Sequence, residues 1–259
     1  MSFVLRSENI TFKYEGAESP LLDNFSFGVK EQEFCCLIGP GGAGKTTVFK
    51  ILSGFLRADS GNVLLKGRAV KDYHSAERAK ILAVVPQTAR ASLPFTARQI
   101  VEMGRFSRLS RFASLSAMDR AHINEAMEMM DVSFFSEKPY NCLSGGEKQR
   151  VRLAAALAQE PSVMLLDEPA ASLDIGHSAS LMKLLKRMNQ ERKIAIVIIS
   201  HDIQTAAAFF DRMVLLRNGK ILADGPPSDV MTEPLIGETY DCRVSIFQSP
   251  EGRHSVNVL

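Results

Sequence analysis

The stretch Gly39-Pro40-Gly41-Gly42-Ala43-Gly44-Lys45-Thr46-Thr47 decides the fold of this chain, because it has the spacing G-x-x-x-x-G-K-T. It directly follows the apolar run Phe34 to Ile38. The residues after it place apolar side chains at helical spacing: Val48, Ile51, Leu52 and Phe55. We therefore predict a phosphate-binding loop between a buried strand and a helix, and this context disfavours a glycine-rich turn that binds nothing.

The loop has the chemistry that a nucleoside triphosphate needs. Glycines let successive backbone N–H groups turn toward phosphate oxygens, and the positive end of the following helix dipole points at the same place. Lys45 supplies positive charge for the β- and γ-phosphates, and Thr46 offers a hydroxyl to Mg²⁺. The predicted nucleotide-binding residues of the loop are Gly39, Pro40, Gly41, Gly42, Ala43, Gly44, Lys45, Thr46 and Thr47.

Composition restricts the class of protein. At 259 residues and 46% hydrophobic content, the chain suits one large domain or a core with a small inserted subdomain. A formal net charge of +2 does not indicate a dedicated nucleic-acid binder, although Arg105, Arg108 and Arg111 form a local basic cluster. The segment Met1 to Ile10 lacks the apolar run of a signal peptide, so we expect the chain to stay in the cytoplasm.

The four cysteines show no C-x-x-C spacing. We expect reduced, mostly buried thiols rather than a metal site. They are Cys35, Cys36, Cys142 and Cys242.

The first part of the chain predicts strands and then a helical segment. Apolar residues alternate from Phe3 to Tyr14 and from Leu22 to Val29, which predicts an antiparallel start. Further strands are predicted at Asn62 to Leu65 and Ile81 to Val85. From Thr88 to Asn141 the pattern becomes helical and rich in methionine, with these apolar positions: Ile100, Met103, Gly104, Ile123, Ala126, Met127 and Met130.

The second part predicts parallel βαβ units. Val163 to Leu166 and Ile194 to Ile199 are continuous apolar runs, which are typical of strands buried on both faces. A hairpin is predicted around Asn218-Gly219, and a last hairpin around Pro250-Glu251-Gly252. Between the two strands, an amphipathic helix is predicted from Leu181, Leu184, Leu185 and Met188.

Polar residues follow three of the predicted strands. The phosphate loop follows Ile38, Asp167-Glu168 follows Leu166, and His201 follows Ile199. We expect these groups to converge, because ligands of open parallel sheets bind outside the carboxyl ends of the strands. Asp167 suits Mg²⁺, Glu168 suits a general base for an attacking water, and His201 suits a contact to the γ-phosphate. The alternatives are that the two acids cap the next helix and that the histidine is structural.

A second glycine cluster, Leu143-Ser144-Gly145-Gly146-Glu147, opens another predicted helix. A serine hydroxyl, uncompensated N–H groups and a helix dipole make it a second candidate anion site. A plain helix cap explains the same residues equally well.

These motifs resemble the nucleotide-binding subunits of ABC transporters over nearly the whole chain. Leu143 to Glu147 resembles the family signature, Leu165 to Pro169 the Walker B strand, Ser172-Leu173-Asp174 the D-loop, Gln87 the Q-loop and His201 the switch histidine. Two departures, Gly41 for a common asparagine and Glu31-Gln32 for a glycine-containing turn, remove no charged group.

The resemblance implies a role for each matching residue. It implies catalysis by Glu168, His201 and Gln87, and Mg²⁺ ligation by Thr46, Gln87 and Asp167. Tyr14 is similar to the aromatic residue that stacks on adenine, although a tyrosine that only packs fits the same position. The resemblance also implies a head-to-tail, ATP-dependent homodimer in which each ATP lies between the phosphate loop of one chain and the signature of the other. The second set of nucleotide contacts is then Ser144, Gly145, Gly146, Glu147 and Asp174.

The expected fold class is α/β, a P-loop NTPase core with a mixed sheet and N-terminal antiparallel strands, plus an inserted α-helical subdomain. In a single ABC ATPase domain spanning 1–259, we expect the nucleotide-binding core at 1–87 and 160–240. The helical subdomain with the signature then occupies 88–159, and a C-terminal extension occupies 241–259.

Glu102-Met103-Gly104-Arg105 and the tail from Gly225 to Val258 resemble importer subunits for ferric siderophores, haem and cobalamin. We therefore expect an ATP-hydrolysing motor peripheral to the cytoplasmic face of the cell membrane. Its expected partners are a second copy of itself, a polytopic permease and, indirectly, a substrate-binding protein, with no nucleic acid.

The permease is expected to contact a groove beside Gln87 that carries apolar groups and arginines. These residues are Leu93, Phe95, Phe106, Arg90, Arg98, Arg105 and Arg108. A packed surface or a nucleic-acid contact are the alternatives for this groove.

Other members of the family are soluble ATPases. The segment Thr88 to Cys142 is too short for the coiled coils of repair ATPases, and one phosphate loop does not match the two cassettes of translation factors. An inactive binding module is disfavoured because Lys45 and the catalytic set are all present. A soluble ATPase of iron–sulfur cluster assembly, or a transporter for another substrate, stays open.

Overall fold

The computed structural model describes residues 3–87, 94–110, 113–171, 173–249 and 254–259. The strands are β1 (Phe3–Phe12), β2 (Leu22–Lys30), β3 (Phe34–Ile38), β4 (Ser60–Leu65), β5 (Arg68–Ala69), β6 (Leu82–Val85), β7 (Val163–Asp167), β8 (Ala195–Ser200), β9 (Arg212–Arg217), β10 (Lys220–Gly225), β11 (Val244–Gln248) and β12 (His254–Val258). The α-helices are α1 (Lys45–Leu52), α2 (Ser75–Ala79), α3 (Ala97–Met103), α4 (Ala117–Met129), α5 (Gly145–Ala158), α6 (Ile175–Arg192), α7 (Ile203–Phe209), α8 (Pro227–Val230) and α9 (Glu233–Tyr240).

The chain folds into two units. The first unit comprises Met1–Tyr73 and Ala195–Leu259, and the second unit comprises His74–Ile194. The boundaries predicted above for a core, a helical subdomain and a C-terminal extension stay a prediction.

The antiparallel start predicted from the alternating residues is confirmed in the first unit. Four strands pair in the order β2-β1-β4-β5. The strand β4 begins at Ser60, two residues earlier than predicted, because Ser60 pairs with Thr11 across an irregularity in the ladder. Gly61 lies in this irregularity with a φ of 85°, and a Cβ there would meet the carbonyl oxygens of Glu8 and Asn9.

A second, mixed sheet positions the phosphate loop in the first unit. Strand β3 pairs in parallel with β8 on one side and with β9 on the other, and β10 pairs antiparallel with β9. All five residues of β3 are buried. The predicted hairpin between β9 and β10 is confirmed, with positive φ at both Asn218 and Gly219.

The helix after the phosphate loop is shorter than its apolar pattern predicts. Val48, Ile51 and Leu52 are buried on α1 as expected. The assignment of Phe55 to this stripe is wrong, because α1 ends at Leu52, Gly54 takes a left-handed conformation, and the Phe55 side chain is 67% exposed.

The second unit combines a parallel strand pair with packed helices. Strands β6 and β7 pair in parallel, with Val85 opposite Leu166. Helix α5 packs against α3 and α4. The predicted apolar positions of α4 and α6 are buried: Ile123, Ala126, Met127, Met130, Leu181, Leu184, Leu185 and Met188.

The cysteine prediction holds only in part. All four cysteines are free, and Cys35 and Cys36 are buried in β3. Cys142 is exposed, because it ends the short 3₁₀ turn Tyr140–Cys142 before α5, where the chain runs over the surface.

The predicted last hairpin is present as the antiparallel pair β11 and β12. Its expected turn at Pro250-Glu251-Gly252 lies outside the described residues. Within the described ranges, no helix combines the length and apolar character that a membrane span needs.

Candidate nucleotide-binding site

Lys45 lies at the centre of the phosphate loop in the first unit. Its ammonium Nζ donates to the carbonyl oxygen of Gly39 at 2.6 Å and to that of Pro40 at 2.8 Å. The residue is buried, with 8% of its surface exposed. A charge removed from water must be compensated by polar partners, so the loop wraps around the ammonium group and holds it where phosphates would bind.

The loop presents backbone donors at the start of α1. Gly44 occupies the N-cap position with a φ of 102°, a conformation that side chains disfavour. The amides of the first helical turn have no intrahelical acceptor, and Gly44 has no side chain to cap them. Gly39 is equally constrained, because a Cβ there would lie 2.1 Å from the carbonyl oxygen of Leu216. This geometry suits an anion at the helix N-terminus.

Tyr14 and Thr47 connect the N-terminal sheet to this loop. The hydroxyl oxygen of Tyr14 lies 3.0 Å from Thr47 Oγ1, and its ring meets Phe12 edge to face at 4.8 Å. Strand β1 ends at Phe12, so Tyr14 is not part of the strand as predicted, and 45% of its surface is exposed. The ring is thus anchored at one edge beside the loop while part of it stays accessible.

His201 follows β8 directly and is exposed. Because Ile38 pairs with Ser200 in parallel register, the phosphate loop and His201 both begin at the same edge of the first-unit sheet. Of the predicted groups, the two that belong to the first unit therefore lie at the same sheet edge. Asp202 caps α7 by accepting a hydrogen bond from the Thr205 amide at 3.0 Å.

Gln87 and Glu168 meet in the second unit. They follow the parallel strands β6 and β7, and Gln87 Nε2 donates to Glu168 Oε2 at 3.4 Å. Glu168 has a φ of 47°, a left-handed conformation that costs a non-glycine residue about 1–3 kcal/mol and that clusters at functional sites. Asp167 is the last residue of β7 and is buried. Neither acid caps α6, because Asp174 occupies that position.

The groups that are predicted to surround one nucleotide come from both units. Lys45 and His201 belong to the first unit, whereas Gln87, Asp167 and Glu168 belong to the second. Their convergence around one nucleotide stays a prediction. The donor set Thr46 hydroxyl, Gln87 amide oxygen and Asp167 carboxylate consists of hard oxygen atoms, which fit Mg²⁺ together with phosphate oxygens.

The second glycine cluster forms a reciprocal helix cap. Ser144 Oγ accepts from the Glu147 amide at 3.3 Å, and Glu147 Oε2 accepts from the Ser144 amide at 2.7 Å. Hydrogen bonds that the Ser144 amide and hydroxyl donate to its carboxylate hold the pKa of Glu147 below its usual range. The cluster therefore forms the helix cap that was the alternative to an anion site. This cap leaves the amides of Gly145 and Gly146 as possible donors to an anion.

A cavity of about 390 Å³ lies beside this cap, and its lining includes Asp174 and His177. Asp174 caps α6 through the His177 amide at 2.9 Å, and its other oxygen lies 2.6 Å from His177 Nδ1. Both hydrogen bonds from His177 hold the pKa of Asp174 below its usual range. Sequence reasoning missed His177, which the spacing Asp-x-x-His at a helix start could have indicated. Ser172, the first predicted D-loop residue, lies outside the described residues.

The predicted basic surface around Arg105 and Arg108 is wrong. Arg105 is 4% exposed and pairs with Asp119 at 2.7 Å and with Glu160 at 2.6 Å. Arg108 donates to the carbonyl oxygens of Gln159 and Glu160 at 2.7 and 2.8 Å. Both guanidinium groups find their acceptors inside the second unit. The turn Gly104–Ser107, directly after α3, packs against α5 and brings these acceptors within reach.

The rest of the proposed groove is only partly described. Phe106 is 63% exposed, and Phe95 is half-buried. Arg98 pairs with Glu137 at 3.6 Å. Arg90, Leu93 and Arg111 lie outside the described residues, as does Thr88.

The family model described as ABC transporter matches residues 22–171. The hemin import ATP-binding protein HmuV of Rhodococcus jostii (strain RHA1) is 40% identical over 95% of this chain and 82% of its own length. The iron(3+)-hydroxamate import ATP-binding protein FhuC of Bacillus subtilis (strain 168) is 34% identical over 89% of this chain and 86% of its own length.

Solved structures show the same fold. The ADP conformation of an ATP-binding cassette of an ABC transporter has a TM-score of 0.82 and 25% identity, over 93% of this chain and 99% of that chain. A dimeric cassette in a post-hydrolysis state, bound to ADP and Pi, has a TM-score of 0.74 and 29% identity, over 86% of this chain and 98% of that chain.

The Arg105–Asp119 pair predicts a loss of stability in acid. Hydrogen bonds from Ser116 and from Arg105 lower the pKa of Asp119 to about 2, from an ordinary value of 3.8. Because the pKa of Asp119 is lower in the folded state than in the unfolded state, its ionised carboxylate stabilises the fold fully above about pH 4. This contribution to the free energy of unfolding is lost as the pH falls toward 2. We expect Asp119→Asn to lower the free energy of unfolding at pH 7, with a difference from wild type that narrows between pH 4 and pH 2.

Urea unfolding at pH 7, 4, 3 and 2.5 measures this difference. Asp23→Asn, at an exposed position of β2, controls for the change in net charge. A wild-type advantage over Asp119→Asn that stayed constant down to pH 2.5 would contradict the assignment.

Proposed function

This chain belongs to the ABC transporter family as an ATP-binding subunit, and we propose that it drives import of an iron chelate, haem or cobalamin by hydrolysing ATP. The observation that carries the substrate class is the similarity over nearly the whole chain to import subunits. The relatives are named for import of hemin, petrobactin, iron(3+)-hydroxamate and cobalamin. A metal held in an organic chelate or macrocycle is common to these substrates.

Nucleotide binding falls to the first unit in this proposal. Lys45 and the uncapped amides of α1 bind the phosphates, because they form a concentrated set of donors around a compensated charge. Gly39 to Thr47 form the cradle, and Tyr14 stacks its accessible face on the adenine. His201 contacts the γ-phosphate from the end of β8, beside the phosphate loop.

Hydrolysis falls to the residues at the ends of β6 and β7. Glu168 accepts the proton of the attacking water, a role typically worth about 10²–10⁴ in rate. Gln87 orients that carboxylate through the hydrogen bond to Oε2. Thr46, Gln87 and Asp167 would hold Mg²⁺, which supplies charge neutralisation at the phosphates when bound.

A head-to-tail dimer explains why one chain has two candidate anion sites. Ser144, Gly145, Gly146 and Glu147 would complete the site of a partner chain, with Asp174 beside them in the same cavity. The dimeric cassette bound to ADP and Pi supports dimerisation in the family. The head-to-tail arrangement is what the resemblance to the ABC transporter family implies.

The remaining partners follow from the import function. We propose that the chain lies at the cytoplasmic face of the membrane and binds a polytopic permease there, with the exposed Phe106 and the half-buried Phe95 in the contact. A substrate-binding protein would serve the permease. The burial of Arg105 and the internal hydrogen bonds of Arg108 argue against nucleic acid. Iron–sulfur cluster assembly and another transported substrate are the alternatives to this proposal.

Because Lys45 and Glu168 have separate proposed roles, we expect one variant to lose ATP binding and the other to lose ATP hydrolysis. Lys45→Ala should lose ATP binding, because the loop then has no cation for the β- and γ-phosphates. Glu168→Gln should bind ATP with wild-type affinity and lower the hydrolysis rate by about 10²-fold or more. Nucleotide titration and phosphate release measure the two effects, and wild-type turnover by Glu168→Gln would exclude this residue as the base.

The composite site predicts that ATP drives dimerisation. Glu168→Gln protein should sediment as a monomer without nucleotide and as a dimer with ATP. Adding Ser144→Arg should abolish the shift, because a bulky cation then occupies the signature cap.

Ser116→Arg provides the matched control, since Ser116 caps α4 with the same reciprocal hydrogen bonds. It should retain the ATP-dependent shift. A shift that survives Ser144→Arg would argue against the composite site.

The substrate class is tested by growth and uptake. A strain that lacks this protein should lose uptake of at least one among ferric siderophore, haem and cobalamin, and plasmid-borne wild type should restore it. Plasmid-borne Glu168→Gln should not restore uptake, because the protein binds ATP without turnover. Normal uptake of all three substrates in the deletion strain would overturn the substrate assignment while leaving the ATPase assignment intact.

A further inference from the structure

Arg152 connects the signature helix to the segment that carries Gln87. It lies on α5, two turns after the Ser144 cap. Its guanidinium donates to the carbonyl oxygen of Pro86 and, at 3.4 Å, to that of Gln87. It also donates to Gln149 Oε1 at 3.0 Å. All these residues belong to the second unit.

The two carbonyl groups belong to consecutive residues, so one planar guanidinium holds the peptide groups on both sides of the Gln87 Cα. Proline already restricts its own backbone at φ near −65°. Fixing the two peptide planes that flank the Gln87 Cα determines the direction in which the Gln87 side chain leaves the backbone. That side chain donates to Glu168, the proposed general base.

Arg152 is partly desolvated, and this burial lowers its pKa. The carbonyl acceptors therefore compensate a charge that has lost part of its hydration. A guanidinium suits this task better than an ammonium, because its donors have a rigid fork geometry. The result is a continuous chain of contacts from α5 through Arg152 and Gln87 to Glu168.

We propose that Arg152 is a positioning residue that aims Gln87 at Glu168 and at the metal side of the nucleotide site. Through it, the signature helix and the hydrolytic residues of one chain move together. In a head-to-tail dimer these two features serve different ATP molecules, so Arg152 also links the two composite sites. The inference rests on the proposed function, because it takes Gln87 and Glu168 as hydrolytic residues.

Arg152→Met tests the proposal, since methionine keeps an apolar stem and removes every donor. Arg187→Met is the matched control, because Arg187 Nη2 donates to the carbonyl oxygen of Met129 at 2.7 Å elsewhere in the second unit. Arg152→Met should lower kcat by about 10–100-fold, the usual effect of losing an outer-shell partner of a metal ligand. The affinity for ATP should stay within about twofold of wild type, because the phosphate loop is unchanged.

A second readout does not depend on turnover. With a non-hydrolysable ATP analogue bound, the affinity for Mn²⁺, measured by electron paramagnetic resonance, should weaken by a similar factor in Arg152→Met and stay unchanged in Arg187→Met. Arg152→Lys should recover part of both losses, because an ammonium donates without the planar fork.

Equal kcat and equal Mn²⁺ affinity in Arg152→Met and Arg187→Met would overturn the proposal and leave Arg152 a structural residue. If Arg152→Met does not fold, Arg152→Lys decides the question, and wild-type values for it in both measurements would likewise overturn the proposal. Glu168→Gln is measured in parallel. Should that variant hydrolyse ATP at the wild-type rate, the catalytic assignment would fail, which is distinguishable from a failure of Arg152 alone.

Discussion

The first unit depends on one constraint, the need to hold a desolvated ammonium group and uncapped helix amides at the end of a buried strand. Lys45 satisfies the charge with the carbonyl groups of Gly39 and Pro40. Gly39 touches the backbone of β9 so closely that a Cβ would not fit, and the Gly219 amide donates to Ala43 at 3.0 Å. The loop is therefore braced by the sheet, and its donors are preorganised for phosphate rather than recruited by it.

In the second unit, α5 has a comparable organising role. Its first turn is closed by the Ser144–Glu147 cap, and the carbonyl groups of its last residue and of the two that follow accept from Arg105 and Arg108. Between these ends, Arg152 reaches back to the Gln87 segment. Guanidinium groups that lose water, as the buried Arg105 and the half-buried Arg108 and Arg152 do, need matched acceptors, so these arginines impose a specific geometry on the helix and on the segments around it.

In the proposed function, a second chain accounts for the two candidate anion sites of one chain. Local physics alone explains Ser144 and Glu147 as a helix cap, and the structure shows that cap. The resemblance to ABC transporter subunits implies more, and the proposed head-to-tail dimer would bring the nucleotide of a partner chain to this cap. The cap and the proposed anion contact are compatible, because the side chains satisfy the amides of Ser144 and Glu147 and leave those between them.

The sequence by itself determined the features that depend on near neighbours. Loop spacing placed Lys45 in the phosphate cradle, apolar periodicity identified the buried face of α6, and Asn218-Gly219 located a hairpin, since each depends on contacts within a few residues. Only the tertiary structure decided that Arg105 is buried, because its acceptors Asp119 and Glu160 lie 14 and 55 residues away along the chain. The same holds for the hydrogen bond from Gln87 to Glu168, across 81 residues, and for the reach of Arg152 to Pro86. Composition shows that a charge exists, but its partner is set by packing between distant segments, which periodicity does not encode.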